Sequence, residues 1–208
     1  MKENCSSYEI VVSEDGSTDG TDRILKELAG REIITHLHSG IRLGKGKAVR
    51  NAFFASSGER VFFTDADFPM EMEDIPKMLG LLGRYNMVIG SRSKGISAER
   101  SFARKMFSIS YNSFVRLLFR TGIRDHQCGV KAFRREAVKE AFSRISSGFL
   151  WDTELIVRAK REGCSIFELP IRWQEKRSGR SKVSVYRDSY RMGKALIKFW
   201  YHMNFGRD

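Results

Sequence analysis

Asp65 and Asp67, separated only by Ala66, follow the apolar run Arg60–Thr64 (RVFFT). In an extended chain residues i and i+2 point the same way, so these two carboxylates are expected to converge on one ligand. Neighbouring carboxylates repel unless positive charge lies between them. A hard divalent cation with oxygen ligands, which keeps waters and binds substrate phosphates, is the natural occupant. Taken alone, D-x-D also describes a solvated turn. A buried strand before it, and a second acidic strand end opposite it, favour the ligand. That second cluster is Glu14-Asp15, in the segment SEDGSTDGT after YEIVVS. Gly44-Lys45-Gly46-Lys47 opens the next amphipathic run. Glycines let backbone approach a phosphate and a helix N-terminus attracts anions, although a solvated basic helix start fits these residues equally well. Two phosphate-binding fingerprints fail here: the Gly40–Lys45 spacing is too short for a P-loop, and Val49 stands where a dinucleotide fingerprint needs its third glycine.

Short apolar strands alternating with amphipathic helices must position these groups. The patterning predicts strands over 8–13, 32–37, 60–64 and 86–89 and helices over 18–29, 45–56 and 71–82. Such alternation implies an α/β fold, a mostly parallel sheet with helices on both faces. In such sheets ligands collect beyond the carboxyl ends of the strands, where both acidic clusters fall. Further on, the pattern predicts a long helix over 99–120, strands over 131–134, 165–169 and 171–173, a helix over 153–162 and a final helix over 185–203. This second half reads as additions to the same sheet.

The chain has 208 residues, 41% of them hydrophobic, which suffices for one folded domain. With 37 Lys plus Arg against 25 Asp plus Glu, the net charge of +12 points to an anionic partner: nucleic acid, phosphorylated metabolites or an anionic membrane surface. Cys5, Cys128 and Cys164 form neither a disulfide framework nor a zinc ribbon and fit a reducing compartment. No secretory signal is visible. The longest uncharged stretch, 106–115, is far short of the ~20 apolar residues that span a bilayer. His36 and His38 are a candidate metal pair, but no third ligand is near in sequence, and the pair reads as structural or exposed. His126 lies where a substrate contact is conceivable, and Cys128 reads as a small packing residue.

Several ordered segments carry a resemblance. EDGSTDGT, LGKGKAVRNAFFASSGERVFFTDAD, Gly90-Ser91-Arg92, Asp125-His126-Gln127-Cys128-Gly129, Trp151-Asp152-Thr153-Glu154 and Gly179-Arg180-Ser181-Lys182 resemble inverting family-2 glycosyltransferases of GT-A fold. The likeness is strongest to dolichyl-phosphate glucosyltransferases and the related mannosyltransferases, and DHQCG leans to the glucosyl branch. The resemblance implies a GT-A, Rossmann-like nucleotide-binding domain over 1–182 and a basic amphipathic helix over 183–208. It implies Asp15, with Glu14 beside it, at the nucleotide, and Lys45 near it. It places Asp65 and Asp67 on Mg²⁺ or Mn²⁺, with Asp67 among the catalytic groups. Arg92, Arg104 and Ser108 would receive the acceptor phosphate, and Lys182 would close over the phosphates. Asp125, Gln127, Asp152 and Glu154 would line the sugar pocket. The family's first strand, ending in P-x-Y-N-E, has no counterpart here, which implies a fragment, a misassigned start or lost donor binding. Glu14 replaces the usual Asp.

The implied reaction moves a hexose, glucose ahead of mannose, from UDP-glucose or GDP-mannose to a polyprenyl or dolichyl phosphate. A metal held by Asp65 and Asp67 would offset charge on the departing diphosphate. A phosphate acceptor is already anionic near neutrality, so it needs positioning rather than a base. Asp152 and Glu154 are therefore expected to orient the sugar, with general base as the alternative, and a glycan hydroxyl is the alternative acceptor. Residues 172–208 carry 10 basic and 3 acidic side chains. Arg187, Arg191, Lys194 and Lys198 form a stripe beside Met192, Leu196, Phe199 and Met203. That pattern describes either an interfacial helix on anionic lipid or a helix packed on the sheet. The expected location is peripheral, on the cytoplasmic face of a membrane. Rival expectations are an inactive membrane-associated relative and a basic nucleic-acid-binding protein. No nucleic-acid motif appears, and the acidic strand ends would repel a phosphate backbone.

Overall fold

The computed structural model describes residues 7–92, 102–173 and 185–206, with backbone alone for 102–105 and 185–190. Strands β1 (Val11–Asp15) and β2 (Thr35–Ser39) pair in parallel around helix α1 (Thr21–Gly30). Helix α2 (Lys45–Ala55) leads to β3 (Arg60–Thr64), and α3 (Asp74–Leu81) leads to β4 (Met87–Ser91). The chain continues through α4 (Phe102–Phe119), β5 (Val130–Arg134), α5 (Arg135–Ser143), α6 (Trp151–Arg161), β6 (Ile166–Pro170) and α7 (Val185–Phe205).

The second sheet has the order β3-β5-β4-β6. β4 and β6 run together, while β5 lies between β3 and β4 and runs against both. The parallel expectation therefore holds for β1 with β2 and for β3, β4 and β6, and β5 is the exception. Its direction follows from where its chain begins. Residues 120–129 lie at the carboxyl ends of β3 and β4, where Asp65 N–H bonds the Gly129 carbonyl at 3.1 Å and the Arg92 N–H bonds Asp125 at 3.1 Å. A strand that starts there has to run back through the sheet. It delivers Gly129 to the site and buries Lys131 beneath it.

Every residue of β4 is buried, as expected of a strand covered on both faces. Phe53 from α2 stacks on Phe142 from α5, with centroids 4.0 Å apart, beside Phe133. The first seven residues of α6 are all buried, so this helix carries polar groups into the interior. Residues 171–173 add only a bridge at Trp173 rather than a strand.

One apolar row of α7 faces the protein body. Leu196 and Phe199 are buried against Tyr111, Val115, Leu150 and Val157, with Met192 and Met203 packed alongside. What α7 leaves exposed is Ile197, Tyr201 and Phe205, together with Arg191, Lys194 and Lys198. Among the described residues no helix is long and apolar enough to cross a membrane.

Candidate active site

Asp65 and Asp67 sit in a tight turn, not in an extended strand. β3 ends at Thr64, and the Phe68 N–H closes back on the Asp65 carbonyl at 3.1 Å. Phe68 takes a left-handed φ of 45°, a costly choice for an aromatic residue that its packing against the core offsets. The alternation argument for Asp65 and Asp67 therefore does not apply. Instead, the turn places both near one cation. Lys45 Nζ lies 2.8 Å from Asp65 Oδ1. Burial would by itself lower the Lys45 pKa, but Asp65, Asp152 and Asp67 together hold it above its ordinary value.

Asp152 enters from the first turn of α6 and forms an ion pair with Lys131 Nζ. Lys131 is wholly buried in β5, and its ammonium also donates to the Cys128 carbonyl at 2.6 Å. Burial holds the Asp152 pKa above its ordinary value, although Lys131 and Lys45 pull the other way. The result is an alternating row of charges, Lys131, Asp152, Lys45 and Asp65, ending at the exposed Asp67. Lys131 was not among the residues expected from sequence. The available signal was a lysine inside an apolar strand (VKAFR), since a buried ammonium requires a partner.

Close backbone approach shapes the rest. A Cβ on Gly129 would run into the Asp65 carboxylate. Gly44, at φ 96°, and Gly46 fit under the loop 146–148; the Gly46 N–H donates to the Ser147 carbonyl at 2.9 Å. The Gly-Lys-Gly segment thus spends a helix-start N–H on protein rather than offering it to a phosphate, and its glycines allow helix-to-loop packing. Asp15 holds the same segment by accepting from Leu43 N–H at 2.6 Å and Gly44 N–H at 2.9 Å. Glu154 accepts from the Ser146 N–H at 2.5 Å, so it braces the loop under Lys45.

Arg92 and Asp125, expected in separate roles, form a bidentate pair at 2.7 and 2.6 Å, with the guanidinium 5.0 Å from the Trp173 ring centroid. Burial opposes charge on both, yet each holds the other ionised: Asp125 lies below its ordinary range and Arg92 above. Glu168 supports this corner by accepting from the Arg124 and Asp125 N–H groups. Gln127 is half-buried, with Nε2 3.9 Å from Met192 Sδ of α7. His126 is fully buried, bonded to Asn112 and Thr121, and has no access to substrate. Burial pushes the Cys128 thiol up to about 12, which agrees with a packing role.

Glu14 is buried and bonded to Ser17 N–H and His38. A small cavity of about 90 Å³ lies beside it, lined by Ser13, Asp15, Leu37, Ser39, Leu43 and Asn51. Ser108 is half-buried on α4. Arg104 lies on the first part of α4, where only the backbone is described, and Lys182 lies outside the described residues.

The donor chemistry at Asp65 and Asp67 fits a divalent cation. Both are carboxylates, Asp67 is exposed, and the glycine at 129 leaves Asp65 room.

Residues 2–142 match the model of the glycosyl transferase family 2. Glycosyltransferase AglD of Haloferax volcanii is 37% identical over 95% of this chain, which spans 32% of that protein. Dolichyl-phosphate beta-glucosyltransferase ALG5A of Trichomonas vaginalis is 34% identical over 88% of the chain and 59% of its own length. The human dolichyl-phosphate beta-glucosyltransferase is 29% identical over 97% of the chain and 62% of its own length. The chain thus spans from about a third to under two thirds of these relatives. Among solved structures, glucosyl-3-phosphoglycerate synthase of Mycobacterium tuberculosis, crystallised with Mn²⁺, uridine diphosphate and glucosyl-3-phosphoglycerate, superposes with a TM-score of 0.68 at 17% identity. It covers 96% of this chain and 70% of that one, so the GT-A-like fold is shared.

Proposed function

The chain belongs to glycosyl transferase family 2, and from that membership we propose that it transfers a hexose from a nucleotide-diphosphate sugar to a polyprenyl or dolichyl phosphate. Glucose is favoured over mannose, because several relatives at 29–34% identity are named dolichyl-phosphate beta-glucosyltransferases. The carrying observation is the charge row in which Lys45 is shared by Asp65, Asp152 and Asp67.

Asp65 and Asp67 would hold Mg²⁺ or Mn²⁺, which, when bound, offsets negative charge on the departing diphosphate as a Lewis acid. The chain's own groups do the remainder. Lys45 carries a full charge beside the site and faces the same diphosphate, adding fixed electrostatic stabilisation. It keeps Asp65 in place meanwhile. Lys131 holds Asp152 from below, so this carboxylate is fixed to orient a sugar hydroxyl, with general base as the alternative role. A phosphate acceptor, whose oxygen is already anionic at neutral pH, needs positioning rather than a base. Glu154 positions Lys45 through loop 146–148 and borders the sugar side. Asp15 and the cavity next to it form the nucleotide end, with Glu14 behind them on its Ser17 and His38 contacts. Asp125 and Gln127 close the sugar pocket, and Arg92, Ser108, Arg104 and Lys182 serve the acceptor phosphate. Arg92 contributes as one half of its pair with Asp125.

The test is incubation with polyprenyl phosphate, Mg²⁺ or Mn²⁺, and labelled UDP-glucose or GDP-mannose. Label is expected in the lipid fraction, more from UDP-glucose. Asp67→Ala is expected to reduce transfer at least 100-fold, in line with loss of a metal ligand. Transfer that persists after chelation, or in Asp67→Ala, would overturn the reading.

A further inference from the structure

His36 and His38 point to one face of β2, and two carboxylates meet them there. Glu14 comes from the end of β1, and Asp22 from the first turn of α1. One ligand-capable atom from each of the four lies within 4.8 Å of all the others. His38 Nδ1 is 2.6 Å from Glu14 Oε2 and 3.1 Å from Asp22 Oδ1. His36 Nε2 is buried and makes no hydrogen bond among the described residues, and the buried Asp22 Oδ1 has only its ion-pair contact with His38. Buried polar atoms ordinarily find partners, so the pair in one cluster needs an explanation.

The remaining contacts read as ligand orientation. Ser17 N–H holds Glu14 Oε1, leaving Oε2 turned to the cluster. Lys26 holds Asp22 Oδ2 at 2.8 Å, leaving Oδ1. Each carboxylate thus anchors one oxygen and presents the other. Two imidazoles with two carboxylates suit zinc-class ions, whereas Mg²⁺ prefers oxygen alone.

We propose that Glu14, Asp22, His36 and His38 form a four-ligand site for a zinc-class divalent cation, separate from the pair Asp65 and Asp67. Four protein ligands from three consecutive elements make a closed, structural site. The β1-α1-β2 unit has use for one: α1 contributes no buried residue, β2 none, and β1 only Glu14. With so little apolar burial, a cation clamp is the strongest local tie available. His38, with 40% of its side chain exposed, gives the ion its way in.

The test titrates chelator-treated full chain with Co²⁺ and then Zn²⁺, without nucleotide. One equivalent of Co²⁺ is expected to give the intense visible absorption of a tetrahedral site, and Zn²⁺ to displace it and raise Tm. His36→Gln and Asp22→Asn are each expected to weaken Zn²⁺ binding by at least about tenfold. Asp67→Ala is expected to keep the spectrum while losing transfer, which separates this site from the donor metal. In the wild-type chain, ring signals of His36 and His38 should shift with Zn²⁺ while those of His126 stay fixed, a readout that needs no variant. A wild-type protein without the tetrahedral spectrum, or a spectrum lost in Asp67→Ala and kept in His36→Gln, would overturn the proposal.

Discussion

Single side chains in this protein are chosen by the partners they meet. His126 is wholly buried, with Nδ1–H donating to Asn112 Oδ1 at 3.0 Å and Nε2 accepting from Thr121 Oγ1 at 2.8 Å. Burial first, with Lys131 and Arg116 adding to it against Asp125, lowers its pKa from 6.5 to about 4. Between those values the unfolded chain takes a proton that the folded chain refuses. Stability is therefore full above pH 6.5 and falls as the pH drops through 4, by up to about 3 kcal/mol. Urea unfolding at a series of pH values is expected to show this acid loss in wild type and a shallower one in His126→Gln, whose neighbours are unchanged. Equal slopes would refute the assignment. At this scale the sequence was readable where chemistry is local. Asp65, Asp67 and Lys45 stand out by type and adjacency. Lys131 with Asp152, Arg92 with Asp125, and Glu14 with His38 did not, because each pairing joins residues far apart in the chain, and only the sheet order brings them together.

Elements were legible where periodicity and boundary signals agree. β3 falls on its predicted residues, and α2 departs from them by one residue at its end. β1 starts later than its apolar run suggests and takes in Glu14 and Asp15, so those acids belong to the strand rather than to the loop after it. α5 was missed because it follows β5 without a loop and starts on Arg135 with no capping side chain. The packing of α2 against loop 146–148 is equally silent in sequence, since a glycine reads alike whether it serves a phosphate or a carbonyl. The two uses separate by substitution. A Cβ on Gly46 would strike the Ser146 carbonyl and come within 2.9 Å of Trp151 Cβ, whereas one on Gly80 in α3 meets nothing within 4 Å. Gly46→Ala is expected to cost about 2 kcal/mol through overpacking, and Gly80→Ala to add about 0.5 to 1 kcal/mol through helix propensity. Chemical denaturation of both variants checks this, and a neutral Gly46→Ala would contradict the packing.

For the molecule as a whole, charged and apolar side chains are exposed together along α7. Arg191, Lys194 and Lys198 lie exposed on α7 with Ile197, Tyr201 and Phe205, while α4 exposes Met106, Ile109, Phe114 and Leu117. The amphipathic pattern of α7 was legible from sequence, but not which apolar row the body would claim; the row with the largest burial went inside. Our proposal of a lipid acceptor makes the leftover row the membrane contact. Sedimentation with anionic vesicles is expected to fall at least tenfold when Ile197, Tyr201 and Phe205 are all changed to Ser. Lys194→Ala and Lys198→Ala should each cost about 1 kcal/mol at low salt. Binding that survives all of these changes would remove α7 from the membrane. The interleaved order β3-β5-β4-β6 has a further consequence, for synthesis on the ribosome. β3 and β4 leave the tunnel well before Val130–Arg134, the strand that must slot between them. Until then both present naked edges, and the acidic turn after β3 lacks its tether to Gly129. The nascent chain therefore carries two unpaired edges that need shielding by chaperones until the latecomer strand closes the sheet.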